Sequence, residues 1–171
     1  MLIRREQPAD YLEVYELVKV SFATSSHADG TEADYLNEVR EKTTFIPELS
    51  FVAVDVDKIV GQIVLYKTNI RTKNGDITEL LLSPICVHPD YFRRGIATEM
   101  IEFALEQAKN LGYRAVFLCG NPDFYMKLGF VPTYKYGIIH IKDDSGTAKW
   151  SMVRELYAGS LIEIKGTINT N

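Results

Sequence analysis

Cysteine is scarce in this sequence, where Cys86 and Cys119 are the only two among 171 residues. Both lie in apolar runs, which favours reduced thiols in a core over the disulfide framework of a small secreted domain. No apolar run approaches the ~18–20 residues that a membrane-spanning helix requires. The first eight residues, M-L-I-R-R-E-Q-P, lack the apolar centre of a signal peptide. These absences predict a cytoplasmic protein.

Positive charge is not in excess either. The formal net charge is −4 and the pI is near 5.4, which argues against a nucleic-acid partner and against binding to an anionic membrane. The hydrophobic fraction of 46% and the charged fraction of 25% are ordinary for a globular protein. The chain has no linker, repeat or low-complexity tract. We therefore predict a single domain over residues 1–171, with no membrane or nucleic-acid partner and no metal cofactor.

The two best-known phosphate-binding loops are also missing, since neither G-x-x-x-x-G-K-S/T nor G-x-G-x-x-G occurs. A different anion site is predicted in the stretch I-C-V-H-P-D-Y-F-R-R-G-I-A-T, residues 85–98. Arg93 and Arg94 add charge to a helix start that is already positive, and a docked anion would relieve that conflict. Gly95 leaves the backbone N–H groups approachable. The alternative is that both arginines are solvated and that Gly95 serves only the turn.

Hydrophobic periodicity predicts a mixed α/β domain. A near-continuous apolar segment, Ile77 to His88, is typical of a central strand, and Pro84 within it predicts a bulge or a break in pairing. Asn74-Gly75 predicts a hairpin with a type I′ turn. The charged helix that starts near Thr31 is interpreted as a lid or flank outside the core. The predicted strands are 2–5, 50–55, 59–66, 77–88, 115–119, 130–136, 137–141 and 149–156, and the predicted helices are 8–22, 31–42, 95–111 and 124–128.

A second motif, F-Y-M-K-L-G-F at residues 124–130, follows the predicted β-α-β unit. Together with V-H-P-x-Y and R-R-G-I-A, it resembles the GNAT (GCN5-related N-acetyltransferase) superfamily over roughly residues 1–157. The family's coenzyme pattern is Gln/Arg-x-x-Gly-x-Gly/Ala. Gly95 and Ala97 match it, whereas Phe92 stands at the Gln/Arg position. The run L-C-G-N-P-D-F-Y is similar to a bacterial branch whose substrates are largely unassigned.

The resemblance implies the GNAT fold, a mixed central sheet of about six to seven strands flanked by helices. Two parallel strands are expected to splay apart and hold acetyl-coenzyme A (acetyl-CoA) between them. Backbone N–H groups of the helix start would bind its pyrophosphate, and the Val87 N–H would stabilise an oxyanion. The implied coenzyme contacts are Ile85, Cys86, Val87, Arg93, Arg94, Gly95, Ile96, Ala97, Thr98, Asn121 and Phe124.

The implied activity is acetyl transfer to a primary amine of a small molecule or peptide, by direct attack through a tetrahedral intermediate. Tyr125 matches the position of the family's general acid. The general base is left open between Glu79, Ser83 and a water chain. Two alternatives stay open: an acyltransferase of the same fold with another acyl donor or a hydroxyl acceptor, and a coenzyme-binding regulatory module without chemistry. A homodimer is also left open.

Overall fold

The computed structural model describes residues 1–170 as two compact units, made of residues 1–66 with 83–104 and of residues 67–82 with the part after 104. Three elements, β3, β4 and α3, contribute residues to both units. The strands are β1 (Leu2–Arg5), β2 (Ser50–Asp55), β3 (Lys58–Thr72), β4 (Gly75–Val87), β5 (Ala115–Cys119), β6 (Val131–Pro132), β7 (Ile138–His140), β8 (Ser151–Glu155) and β9 (Gly166–Ile168). The helices are α1 (Tyr11–Phe22), α2 (Glu32–Glu41), α3 (Ile96–Asn110) and α4 (Pro122–Tyr125). Among residues 1–170, none of the helices has the length and apolarity to cross a membrane.

The first unit is built on the strand order β1-β2-β3-β4. β1 pairs antiparallel with β2, and β2 pairs antiparallel with β3, with a register shift between Ala53 and Val54. Gly61 of β3 has no side chain because α3 packs directly on it: a Cβ there would lie 2.7 Å from the Met100 sulfur. This close approach holds the first turns of α3 against the sheet.

Helices α1 and α2 cover the same face of the first unit. Val14, Leu17 and Val18 of α1 are buried, and so are Leu36 and Val39 of α2. The interpretation of α2 as a lid or flank outside the core is therefore wrong. Asp34, Glu38 and Glu41 are exposed, whereas the Arg40 side chain is buried in an ion pair with Glu6. The apolar residues of α2, at three- and four-residue spacing, face the core.

The second unit has the strand order β3-β4-β5-β8-β6, with β9 beside β3 and β7 beside β9. The parallel register of β4 with β5 joins Leu80 to Val116 and Leu81 to Phe117, and it ends there although β5 continues to Cys119. On its other side β5 pairs antiparallel with β8 along its whole length. Cys119 is exposed at the strand end, which corrects its expected position in the core.

Several predicted boundaries differ from the structure. The sheet has nine strands within residues 1–170, more than the six to seven expected, because β9 and the short β6 and β7 also pair. The predicted strand 130–136 is only Val131–Pro132, followed by a 3₁₀ turn. β4 continues as one strand through Pro84, but its registered pairs with β5 end at Leu81, so pairing on that edge stops before the proline.

The hairpin at Asn74 is confirmed, but its predicted turn type is wrong. A type I′ turn requires positive φ at both central residues. Lys73 and Asn74 lie between the paired strands, and neither has positive φ; only Gly75, at 112°, does. The glycine therefore begins β4 instead of completing the turn.

Candidate functional site

The start of α3 presents a row of backbone donors without partners. Among residues 1–170, none of the six N–H groups from Arg93 to Thr98 donates a hydrogen bond to the protein, and the first bond of the helix runs from Glu99 N–H to the Gly95 carbonyl, at 3.0 Å. We call residues 93–98 the anion turn. Unpartnered amides at a helix N-terminus, where the macrodipole is positive, form a site for an anion.

The backbone of the anion turn is left-handed at two positions, with φ of 60° at Arg93 and 79° at Gly95. Turns of this kind direct successive N–H groups into one concavity, the nest geometry that binds anions. A Cβ at Gly95 would meet no atom within 4 Å, so the space in front of it is open. Gly95 thus has a left-handed conformation and leaves the space in front of the turn open.

The two arginines of the turn behave differently. Arg94 folds back on its own turn, where its Nη2 donates to the Asp90 carbonyl at 2.8 Å and its guanidinium stacks 4.7 Å from the centre of the Tyr91 ring. Arg93 makes no such contact in the described residues, and its side chain is exposed. Phe92, at the family's Gln/Arg position, is 49% exposed. Arg93 is therefore the freer cation for a ligand, whereas Arg94 contacts its own turn.

At the end of β4, successive backbone N–H groups point to opposite edges of the strand. His88 N–H donates to the Val60 carbonyl at 2.8 Å, so the Cys86 N–H, two residues earlier, also faces β3. The N–H groups of Ile85 and Val87 then point to the opposite edge of β4, beyond the last registered pair with β5. Burial raises the pKa of the Cys86 thiol to about 12, which makes this cysteine inert. Ile85 and Val87 are thus better placed than Cys86 to bind a ligand along this edge.

A second turn, residues 119–125, carries the predicted acid, and we call it the tyrosine turn. Asn121 caps α4 by accepting from Asp123 N–H at 2.9 Å, while its side-chain NH₂ has no partner in the described chain. The neighbouring Phe124 side chain is 38% exposed. Both residues, predicted as coenzyme contacts, therefore keep groups available to a ligand.

The Tyr125 side chain is held by contacts of its ring. The ring makes edge contacts with Phe124 and Phe130, with centroid distances of 4.9 and 5.7 Å. Its hydroxyl makes no hydrogen bond within residues 1–170, and burial raises the pKa of Tyr125 above its usual value. The phenol therefore keeps its proton at neutral pH and has no competing acceptor for it.

Glu79, a candidate base, is fully engaged elsewhere. Its carboxylate is buried and accepts from the Arg114 backbone N–H at 2.9 Å, the Arg114 Nε at 2.6 Å and the Ala115 N–H at 3.3 Å. These three donors tie β4 to the start of β5. This geometry favours a structural role. Ser83, the second candidate, is half-buried on β4.

Within residues 1–170, no three His, Cys, Asp or Glu side chains come together as a set that could hold a metal ion. One residue of interest was missed from the sequence. Gly120 lies against the Tyr125 ring, and nothing in the sequence pattern indicated this contact.

A model of the acetyltransferase (GNAT) domain matches residues 2–133. The chain is similar to the uncharacterized N-acetyltransferase YhbS of Escherichia coli (strain K12), with 27% identity over 131 residues, 76% of this chain and 73% of YhbS. It is 28% identical over 101 residues to YjhQ of the same strain, covering 59% of this chain but only about half of YjhQ, 56%.

Solved structures show the same fold. The crystal structure of E. coli YhbS in complex with CoA has a TM-score of 0.85 at 23% identity, over 98% of this chain and 88% of that one. A GNAT family acetyltransferase from Brucella melitensis in complex with acetyl-CoA has a TM-score of 0.70 at 25% identity, over 75% and 81%. They confirm the predicted mixed α/β sheet flanked by helices. Because the domain model spans most of the chain, including both turns, this protein belongs to the GNAT family of acetyltransferases, as its sequence motifs predicted.

Proposed function

We propose that this protein transfers an acetyl group from acetyl-CoA to a primary amine of a small molecule or peptide. The observation that carries the proposal is the anion turn, whose six backbone N–H groups have no partner in the described chain. A helix start of this kind suits the pyrophosphate of a coenzyme. Membership in the GNAT family supports the same activity, and the YhbS and Brucella structures were determined with CoA and acetyl-CoA.

On the donor side, the amides of Arg93 to Thr98 would bind the pyrophosphate, with the exposed Arg93 side chain adding charge. Ile85 and Val87 would offer N–H and C=O groups of β4 to the pantetheine arm, and Asn121 and Phe124 would add contacts from the tyrosine turn. Acetyl-CoA itself supplies an activated thioester. A fixed N–H donor such as that of Val87, directed at the developing oxyanion, is worth about 3 kcal/mol to this reaction.

On the catalytic side, Tyr125 would protonate the leaving thiolate. Its raised pKa keeps the proton on the phenol, and its hydroxyl has no internal acceptor. The amine must also lose a proton. Glu79 is a poor base because Arg114 and Ala115 already saturate its carboxylate, which leaves Ser83 or a water chain.

On the acceptor side, the amine would enter a cleft in the first unit. In the first unit, a cleft of about 300 Å³ opens between the end of α1 and the start of α2. Its wall is apolar at Phe22, Ala28 and Ala33 and charged at Lys19 and Glu32. A small amine or a peptide N-terminus is compatible with this wall of apolar and charged side chains.

The proposal further includes a cytoplasmic location, a single domain over residues 1–171 and a homodimer. Light scattering after size-exclusion chromatography tests the homodimer.

The decisive experiment is release of free thiol from acetyl-CoA in the presence of polyamines, aminoglycosides, amino acids and peptide N-termini. We expect amine-dependent release with at least one class. Coenzyme binding without turnover across the whole panel would instead favour a regulatory module. Release with longer acyl donors only, or with hydroxyl acceptors only, would indicate a related acyltransferase. An acetylated amine identified by mass spectrometry would name the substrate.

A further inference from the structure

Gly120 occupies a position where the backbone does not require glycine. Its φ is not in the left-handed region, unlike that of Gly129 after the next helix. What requires glycine is space. A Cβ at this position would lie 2.9 Å from Cδ2 of Tyr125, closer still to Cε2, and 3.3 Å from Cδ1 of Leu118. The Cδ2 and Cε2 side of the Tyr125 ring therefore packs against the Gly120 backbone, where the Cβ of any other residue would collide with it.

Neither side of this contact is free to move away. Gly120 N–H donates to the Trp150 carbonyl at 2.9 Å, next to the paired residues Cys119 and Ser151. The Tyr125 backbone is held at both ends: its N–H donates to the Asn121 carbonyl, and its carbonyl accepts from Phe130 N–H, each at 3.2 Å. A side chain at position 120 would therefore have to be accommodated by rotation of the tyrosine ring.

The ring has two further neighbours. Phe124 and Phe130 contact it edge-on, and Phe130 is fully buried. Because the hydroxyl makes no hydrogen bond within residues 1–170, ring packing alone fixes the position of its oxygen. In most buried tyrosines a hydrogen-bond partner performs this task.

We propose that Gly120 is a positioning residue that directs the Tyr125 hydroxyl towards the leaving thiol. This inference rests on the proposed acid role of Tyr125. A methyl group at position 120 would turn the ring away without removing the phenol. Since a misplacement of about 1 Å can cost about 100-fold in rate, we expect Gly120→Ala to lower kcat about 10-fold or more.

The test is a double-mutant cycle with Gly120→Ala, Tyr125→Phe and the combined variant, measured as kcat and as the Kd for acetyl-CoA. Phenylalanine keeps the ring and its contact but has no proton to direct. Gly120→Ala should therefore lower kcat in the wild type and change it by less than about 2-fold in the Tyr125→Phe background. The Kd should stay within about 3-fold throughout, which also shows that the variants are folded.

Two results would overturn the positioning role: an unchanged kcat for Gly120→Ala, or an equal loss of kcat in both backgrounds. The second would mean that the substitution damages the turn whatever residue 125 carries. A urea-denaturation cycle with Tyr125→Leu tests the contact itself, because the smaller side chain should reduce the loss of stability caused by Gly120→Ala. Equal losses in both backgrounds would also overturn the proposal. If the wild type releases no thiol with any amine, the proposed function fails, which is a separate outcome.

Discussion

At the level of single residues, Tyr125 keeps its proton because burial disfavours the phenolate and raises the pKa. Tyr125→Phe should lower kcat about 100-fold or more with little change in the Kd for acetyl-CoA, since only a group acting in the transition state is removed. The wild-type rate should show no loss from this group between roughly pH 7 and 9, because the acid form persists there.

A matched control is Tyr157→Phe, which removes a hydroxyl from a tyrosine that is 46% exposed. Its steady-state constants should equal those of the wild type. If Tyr125→Phe also keeps the wild-type rate, the hydroxyl is not the acid.

The structural role of Glu79 follows from the hydrogen bonds that its buried carboxylate accepts. Glu79→Gln should lower the free energy of unfolding by about 2 kcal/mol, because a buried charged acceptor with several donors is replaced by an amide that cannot serve all of them. At saturating substrate, kcat should change less than about 3-fold. Urea denaturation and steady-state kinetics give the two numbers.

The exposed Glu106→Gln on α3 serves as the control for Glu79→Gln, with no expected change in either quantity. A large loss of kcat for Glu79→Gln, with stability preserved, would instead support Glu79 as the general base.

At the level of structural elements, a substitution at the start of α3 tests coenzyme binding directly. Gly95→Ala should raise the Kd for acetyl-CoA about 10-fold or more, because the methyl group enters the open space before the anion turn and the left-handed backbone is strained. Isothermal titration measures the Kd. The expected effect on kcat at saturating coenzyme is smaller.

Gly146→Ala separates strain from binding. Gly146 also has positive φ, 69°, and a Cβ there would likewise meet no atom within 4 Å. Both substitutions should therefore cost similar stability, on the order of 1 kcal/mol, whereas only Gly95→Ala should weaken coenzyme binding. Equal coenzyme affinities in the two variants would argue against an anion site at α3.

On the scale of the whole molecule, the prediction of a single domain can be tested by unfolding. Trp150, the only tryptophan, reports on the second unit by fluorescence, and far-UV circular dichroism reports on all helices. We expect one coincident transition, because β3, β4 and α3 each contribute to both units. Coenzyme at about 100 times its Kd should stabilise the protein by about 2.7 kcal/mol. Two separate midpoints would mean two domains.

The family and the main elements could be predicted from the sequence because their signals are local. The helix α3 follows from apolar spacing, and the anion turn follows from two arginines and a glycine where a helix begins. The two motifs, with Gly95 and Tyr125, identify the GNAT family without any contact information. Two predictions were wrong for local reasons as well. The charges of α2 obscured its buried apolar residues, and β6, with two residues, is too short to show the alternation of a strand.

The sequence by itself determined the family, the order of most elements and the residue types available at the site. The tertiary structure alone decided which of them are free to act. Glu79 is occupied because folding brings Arg114, 35 residues later, to its carboxylate, and Arg94 is tied to Tyr91. Gly120 is required because the Tyr125 ring packs on it. Such contacts depend on how the folded backbone places groups next to one another, which the pattern of residue types does not specify.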